Sequence, residues 1–159
     1  MLHINIVCVG KIKENYLKDA INEYSKRLSR YCILNIIELD DQSIPEKLNT
    51  SIESQIKDSE SELIISHIPQ DSYKICLDLT GKQHTSEEFA NEINDIMMIN
   101  STITFIIGGS LGMNDKLKQL CNEKICFSKM TFPHQLIRVF LLEQIFRAFK
   151  INNHEKYHH

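Results

Sequence analysis

Residues 101–112 read STITFIIGGSLG, a β-branched run that stops at a group of glycines. A short apolar run bounded by glycine predicts a buried strand that enters a turn. The same pattern recurs at residues 3–10 and 73–81, and two further apolar runs lack the glycines. The predicted strands are residues 3–9, 32–39, 73–79, 101–107 and 124–127.

Helical patterns separate these strands. Apolar residues recur at three- and four-residue steps in residues 16–31, and Thr85 or Ser86 with Glu88 caps a second helix. The polar residues 47–68 predict one or two exposed, partly mobile helices, residues 114–122 a short one, and Pro133 opens the last. This alternation indicates an α/β fold with a mainly parallel sheet and helices on both faces.

The glycines suggest where a ligand binds. All of them, at positions 10, 81, 108, 109 and 112, follow predicted strands. Ligands of open α/β sheets bind at the carboxyl ends of strands, so we predict a site on the rim formed by residues 77–81, 108–112 and 127–133. Turn glycines are also common without any ligand. The chain has no dinucleotide fingerprint, phosphate loop, hydrolase elbow or paired-cysteine motif. Such a rim suits an adenosine with an attached amino acid.

The formal net charge of −3 hides an uneven distribution of charge. Residues 1–30 hold six Lys and Arg against three Asp and Glu, and residues 129–159 hold five against two. If the two ends meet in space, they form a basic surface that can contact phosphates. Scattered, solvated charge explains the composition equally well. The candidates for contacts with nucleic acid are Lys11, Lys13, Arg27, Arg30 and Lys129.

Two features predict a single cytoplasmic domain spanning residues 1–159. The first ten residues alternate in polarity, which predicts a strand and not a signal peptide, and no segment approaches the roughly 20 apolar residues of a membrane span.

The five cysteines include no C-x-x-C pair, which favours buried reduced thiols. His154 and His158 lack a cluster of further ligands, so we expect no metal.

The last helix is apolar around most of its circumference, and this favours a homodimer that buries it on more than one side. His134 and Arg138 form an i/i+4 pair in an apolar sector, opposite Glu143 and Arg147. Either they bond a neighbouring backbone or carboxylate, or they face a cleft and hold an anionic or planar substrate. Helix geometry leaves the two alternatives open.

The C-terminal third resembles a known family. Residues 127–138 read FSKMTFPHQLIR, residues 142–148 read LEQIFRA, and Tyr157-His158 lies near the end. With VGKIK at 9–13, LDLTG at 77–81 and IIGGS at 106–110, these segments resemble the ribosomal large subunit methyltransferase H family of the SPOUT superfamily. Residues 145–146, where tyrosine is common in the family, and residues 152–155 depart slightly from its pattern.

That resemblance implies a C-terminal trefoil knot, a homodimer without a membrane partner, and S-adenosylmethionine bound at the knot. It implies methylation of N3 of a pseudouridine in helix 69 of 23S rRNA, in the assembled ribosome. The implied cofactor contacts are Leu77, Gly108, Phe127, Ser128, Lys129, Met130, Thr131 and Phe132. We expect the catalytic groups to be His134 and Arg138, which hold phosphate or base edges, with Tyr157 and His158 folding over the cleft.

Two other function classes remain open from the sequence. One is a non-enzymatic factor that binds RNA or the ribosome, and the other is a nucleotide-binding oxidoreductase of flavodoxin-like shape.

In the methyltransferase reaction, the proton on N3 can pass to His158 or to water, since imidazole titrates near neutrality.

Overall fold

The computed structural model describes residues 1–158 and confirms the predicted order of elements. The strands are β1 (Leu2–Val9), β2 (Cys32–Leu39), β3 (Tyr73–Lys82), β4 (Thr102–Ile107) and β5 (Glu123–Ile125). The helices are α1 (Asn15–Leu28), α2 (Thr50–Ser66), α3 (Ser86–Ile99), α4 (Asp115–Leu120) and α5 (His134–Asn152). The strands form one parallel sheet in the order β2-β1-β4-β3-β5.

Helices cover both faces of the sheet, as predicted. Successive side chains of a strand point to opposite faces, and β1 shows this directly. Ile4, Ile6 and Cys8 pack with the buried residues of α3 and α5, whereas Val7 and Val9 pack with those of α2 and α4. The central strands therefore bury both faces, which explains their nearly continuous apolar runs.

The polar segment at residues 47–68 forms one helix, α2, with a buried side. The predicted exposure was wrong for this side because Glu60 and Ser61 are buried there beside Ile56 and Ile64. Glu60 accepts a hydrogen bond from the backbone N–H of Gln42, and Ser61 accepts one from that of Asn114, at 3.0 Å each. Polar side chains that satisfy neighbouring loops allow a helix of low apolar content to dock.

Strand β3 extends three residues beyond the predicted end because it bulges. Both Leu77 and Lys82 are in register with Ile125 of β5, so residues 78–81 form a bulge in β3. A Cβ on Gly81 would lie 2.6 Å from the carbonyl carbon of Ile125, so glycine is required for this close approach. Thr85, rather than Ser86, caps α3 in a complete capping box with Glu88.

Helix α5 is largely buried within its own chain. Leu141, Leu142, Ile145 and Phe149 lie in the core, and α5 packs between α1 and α3. The apolar circumference that favoured a dimer is thus mostly explained by contacts inside one chain, although Phe140 stays 37% exposed. The trefoil knot stays a prediction.

All five cysteines are free thiols, and four of them are buried, which agrees with the prediction from their spacing. Among the helices of residues 1–158, none is long and apolar enough to cross a membrane.

Candidate active site

The carboxyl ends of three neighbouring strands, β4, β3 and β5, surround a cavity of about 350 Å³. We call it the glycine cavity, because the loop of residues 108–112 forms one of its walls. The segments around 77–79 and 125–132 and the first turns of α5 form the others. This is the rim predicted from the sequence. Seven of the predicted cofactor residues line the cavity: Leu77, Gly108, Phe127, Ser128, Met130, Thr131 and Phe132. Lys129 is exposed and does not line it.

The loop after β4 closes tightly on itself. The backbone N–H of Gly112 donates to the carbonyl of Gly109 at 3.0 Å, and Gly112 has a φ of +83°. A Cβ on Gly108 would lie 2.9 Å from Cγ of Met113 and 3.2 Å from the carbonyl carbon of Gly112. Residue 108 must therefore be small for the loop to fold, and the loop presents backbone rather than side chains to the cavity.

Opposite charges meet at the wall of the glycine cavity. Lys118 Nζ lies 3.5 Å from Asp78 Oδ2, and the two side chains are 25% and 13% exposed. Lys57 also lines the cavity. The sequence pattern did not single out Lys57, Asp78 or Lys118, although Asp78 lies inside the segment LDLTG at 77–81. A carboxylate beside ammonium groups provides partners for both ends of a zwitterionic amino acid.

A second cavity of about 490 Å³ lies on the other side of residues 125–128. We call it the aromatic cavity, because Phe89, Phe127, Phe132 and Phe140 line it together with Glu143. Phe132 and Phe140 pack edge to face, with ring centroids 5.4 Å apart. The two cavities share the wall formed by residues 125–128 and Phe132. The aromatic cavity is the larger one, yet most of the predicted cofactor residues belong to the glycine cavity.

Arg138 is bonded inside the protein, which is the first of the two alternatives left open by its helix position. Its side chain is 2% exposed. Nη2 donates to the carbonyls of Val9 and Gly10 at 2.7 and 2.8 Å, and Nη1 donates to Oε2 of Glu38 at 3.0 Å. The same Glu38 oxygen accepts the N–H of Ile12 at 2.9 Å. The guanidinium therefore fixes the turn after β1, and we assign it a positioning role instead of contact with substrate.

His134 is the one predicted catalytic residue that lines the glycine cavity. It is the first residue of α5, and the pKa of its imidazole is lowered by burial and by the nearby Arg138 charge. The positive end of the helix dipole acts in the same direction. His134 is thus held neutral and can both donate and accept hydrogen bonds at the cavity.

Tyr157 and His158 pack against α5 and α3 of their own chain. The Tyr157 hydroxyl donates to Oε1 of Glu143 at 3.2 Å. Nδ1 of His158 lies 3.0 Å from Nη1 of Arg147, and Nε2 lies 2.7 Å from Oε1 of Glu87. Because arginine only donates, Nδ1 is the acceptor in its contact with Arg147, which directs Nε2 toward Glu87. Neither tail residue lines the glycine cavity of its own chain.

Comparison with known proteins identifies the family of this chain. A family described as "Predicted SPOUT methyltransferase" matches residues 2–158. The chain belongs to the SPOUT methyltransferase family. It is 54% identical over 158 residues to the ribosomal RNA large subunit methyltransferase H of Clostridium acetobutylicum, covering 99% of each chain. It is 53% identical, with the same coverage, to the protein of that name from Clostridium tetani.

A solved structure of a probable methylase family protein from Haemophilus influenzae shares the fold of this SPOUT chain. The TM-score is 0.56 and the identity 11%, and the match covers 98% of this chain and 70% of the other. A likeness at this level of identity supports the architecture alone. The family assignment rests on the match across residues 2–158.

Charge on the SPOUT chain is only partly arranged as the sequence suggested. The two ends do meet, because Tyr31 after α1 donates to Glu155 after α5, at 3.0 Å to each carboxylate oxygen. Many of the basic side chains are neutralised, however, and Lys11 and Arg27 pair with Asp40 and Glu23. Within residues 1–158, the candidates that form no ion pair are Lys13, Arg30 and Lys129.

Proposed function

We propose that this SPOUT methyltransferase transfers a methyl group from S-adenosylmethionine to N3 of a pseudouridine in helix 69 of 23S rRNA. It would act in the cytoplasm on the assembled ribosome, as a homodimer of one knotted domain spanning residues 1–159. The observation that carries this proposal is that Leu77, Gly108 and the segment 127–132, which lie far apart in the sequence, converge on one cavity. The printed names of relatives at 54% and 53% identity support the choice of ribosomal RNA.

The glycine cavity fits the proposed cofactor in size and in chemistry. About 350 Å³ lies within the range of small-molecule sites, roughly 300–1,000 Å³. Leu77, Phe127 and Phe132 offer apolar surface to an adenine ring, while the backbone of residues 108–112 offers hydrogen bonds. Asp78 and Lys118 would hold the ammonium and carboxylate ends of the methionine part. When bound, S-adenosylmethionine supplies a methyl group already activated on a sulfonium.

The protein's task is then mainly alignment of the acceptor nitrogen and removal of its proton. Neutral His134 at the cavity would contact the base edge or a phosphate. The turn at Gly10 lies beside His134, since a Cβ on Gly10 would be only 3.3 Å from Nε2 of His134. Arg138 would hold this turn in place through its hydrogen bond to the Gly10 carbonyl. The N3 proton would pass to His158 or to water as the methyl group is transferred.

Catalytic roles for Tyr157 and His158 require a second subunit. In their own chain these residues bond to Glu143, Arg147 and Glu87, and Glu143 lines the aromatic cavity. Phe132 and Phe140 leave apolar surface exposed at the same cavity, which a second copy could cover. We therefore propose that the tail of one subunit completes the glycine cavity of its partner.

A mixing experiment tests this arrangement. Thr131→Trp, which places an indole in the glycine cavity, and the double variant Tyr157→Ala/His158→Ala, which removes both tail side chains, are each expected to be inactive as homodimers. If tail and cavity come from different chains, a mixed dimer contains one intact site. Unfolding and refolding the two variants together should then restore about a quarter of wild-type methyl transfer, because about half the dimers are mixed and each has one of two sites. Activity no higher than that of the separate variants would contradict a shared site.

The ribosomal substrate is tested by methyl transfer from labelled S-adenosylmethionine. Assembled ribosomes lacking the modification should accept about one methyl group each, located at N3 of a helix 69 pseudouridine by mass spectrometry, and isolated 23S rRNA far less. A net charge of −3 gives little affinity for free RNA, so the chain would recognise a shaped ribosomal surface, with Lys13, Arg30 and Lys129 as candidate phosphate contacts. Equal activity on isolated 23S rRNA would contradict recognition of the ribosome.

The two rival functions predict different results in the same assays. An RNA-binding factor would bind ribosomes without affinity for S-adenosylmethionine. A flavodoxin-like oxidoreductase would bind a flavin or nicotinamide instead. The family match favours the methyltransferase over both.

A further inference from the structure

Three ionisable side chains from separate elements meet beside the aromatic cavity. His84 lies in the loop between β3 and α3, Glu92 lies on α3, and Glu123 begins β5. One ligand atom from each lies within 4.8 Å of those of the other two. Nε2 of His84 is 2.8 Å from Oε2 of Glu92, and these side chains are only 10% and 22% exposed. None of the three has a role in the proposed methyl transfer.

The hydrogen bonds of this cluster are incomplete. Glu123 accepts a hydrogen bond from the Tyr73 hydroxyl at 3.0 Å, which holds its carboxylate in place. Nδ1 of His84 and Oε2 of Glu92 are buried, and within residues 1–158 neither has a hydrogen-bond partner. The short contact between His84 and Glu92 therefore lacks hydrogen-bond alignment. A buried polar atom without a partner costs folding free energy, and a cation beside Oε2 of Glu92 would remove that cost for this oxygen.

The two carboxylates also need positive charge between them. Glu92 and Glu123 bring carboxylate oxygens within 4.8 Å of each other, and the Glu92 side chain is 22% exposed. Like charges this close cannot both remain ionised without a proton or a cation. A divalent cation would bind both carboxylates together with Nε2 of His84, the ring nitrogen that lies 2.8 Å from Oε2 of Glu92.

We infer that His84, Glu92 and Glu123 form a binding site for a first-row transition-metal dication, with Zn²⁺ as the favoured occupant. One imidazole nitrogen and two carboxylate oxygens suit Zn²⁺, whereas Mg²⁺ and Ca²⁺ prefer ligand sets made entirely of oxygen. With three protein ligands, a water molecule would complete the tetrahedral shell of the ion. His84 also lines the aromatic cavity, which gives the ion a path from solvent.

The role of this ion would be structural. It would join the end of β3, the middle of α3 and the start of β5. Ile125 of β5 lies in the wall that separates the two cavities, so the ion would brace the wall of the glycine cavity from behind. The spacing of the ligands along the chain gives no metal motif, which is why the sequence predicted no metal.

The test is calorimetric titration of Zn²⁺ into the untagged full-length protein after removal of metals with a chelator. Wild type should bind one Zn²⁺ per chain with micromolar or tighter affinity, and its unfolding midpoint should rise when Zn²⁺ is added. His84→Gln and Glu92→Gln keep polar groups of similar size, and each should weaken binding by at least about 100-fold, because changes outside the ligand shell alone cost about 10- to 100-fold. Mg²⁺ at the same concentration should have no effect.

The control variant is His67→Gln, which removes an exposed histidine far from the cluster in sequence. It should bind Zn²⁺ as wild type does. Equal binding by wild type and both cluster variants would place the ion at other histidines and overturn the inference, as would the absence of binding in wild type. Midpoints measured without metal will show whether each variant is folded, so a folded variant that retains full affinity is decisive.

Discussion

Thr131→Trp is expected to lower the affinity for S-adenosylmethionine by at least about 100-fold, or about 2.7 kcal/mol of binding free energy. Thr131 is exposed and lines the glycine cavity, so the indole would occupy the space of about 350 Å³ without entering the core. Methyl transfer should fall to background for the same reason. Calorimetry measures the affinity for S-adenosylmethionine. A urea titration measures the free energy of unfolding, which should equal that of the wild type.

Thr50→Trp is the matched control for this substitution. Thr50 is an exposed residue at the start of α2 and lines neither the glycine cavity nor the aromatic cavity. It should keep wild-type affinity. If Thr131→Trp bound the cofactor as tightly as Thr50→Trp does, the glycine cavity would not be the cofactor site.

Arg138→Met is expected to destabilise the protein by about 2–4 kcal/mol, because it leaves two buried carbonyls without a hydrogen bond, whereas Glu38 is 36% exposed and can be solvated. Those carbonyls belong to Val9 and Gly10, at the end of the central strand β1. Arg138→Lys should recover only part of the loss, since an ammonium group cannot reproduce the planar fork that reaches all three acceptors. Urea unfolding measures both effects.

Lys116→Met provides the comparison for a pair at the surface. Lys116 and Glu62 are 68% and 56% exposed, so breaking their ion pair should cost less than about 1 kcal/mol. A positioning role for Arg138 also predicts that methyl transfer falls in step with stability. Wild-type stability combined with lost activity in Arg138→Met would instead place the guanidinium on the substrate.

Most of the sheet could be predicted because its central strands bury both faces. Residues 102–107 are apolar or small almost throughout, and such a run between turn residues has few other solutions. The glycines after the strands pointed to the rim where the glycine cavity lies, and the family resemblance named seven residues that line it. Both signals are local in sequence.

The features that could not be predicted depend on contacts between distant residues. Arg138 meets Glu38 and the end of β1 across more than half the chain, so its helix position alone left two roles open. The docking of α2 depends on Glu60 and Ser61, whose polarity predicted exposure. His84, Glu92 and Glu123 likewise meet only because β5 lies beside the bulge of β3. Contacts of this kind depend on the three-dimensional arrangement and produce no motif or hydrophobic period in the sequence.

The central claim is that this SPOUT chain binds S-adenosylmethionine in the glycine cavity, and calorimetric titration of the wild-type protein tests it most directly. The structure leads us to expect saturable binding that Thr131→Trp abolishes and Thr50→Trp preserves. Failure of the folded wild-type protein to bind S-adenosylmethionine, with or without ribosomes, would contradict the account and favour a non-enzymatic RNA-binding factor.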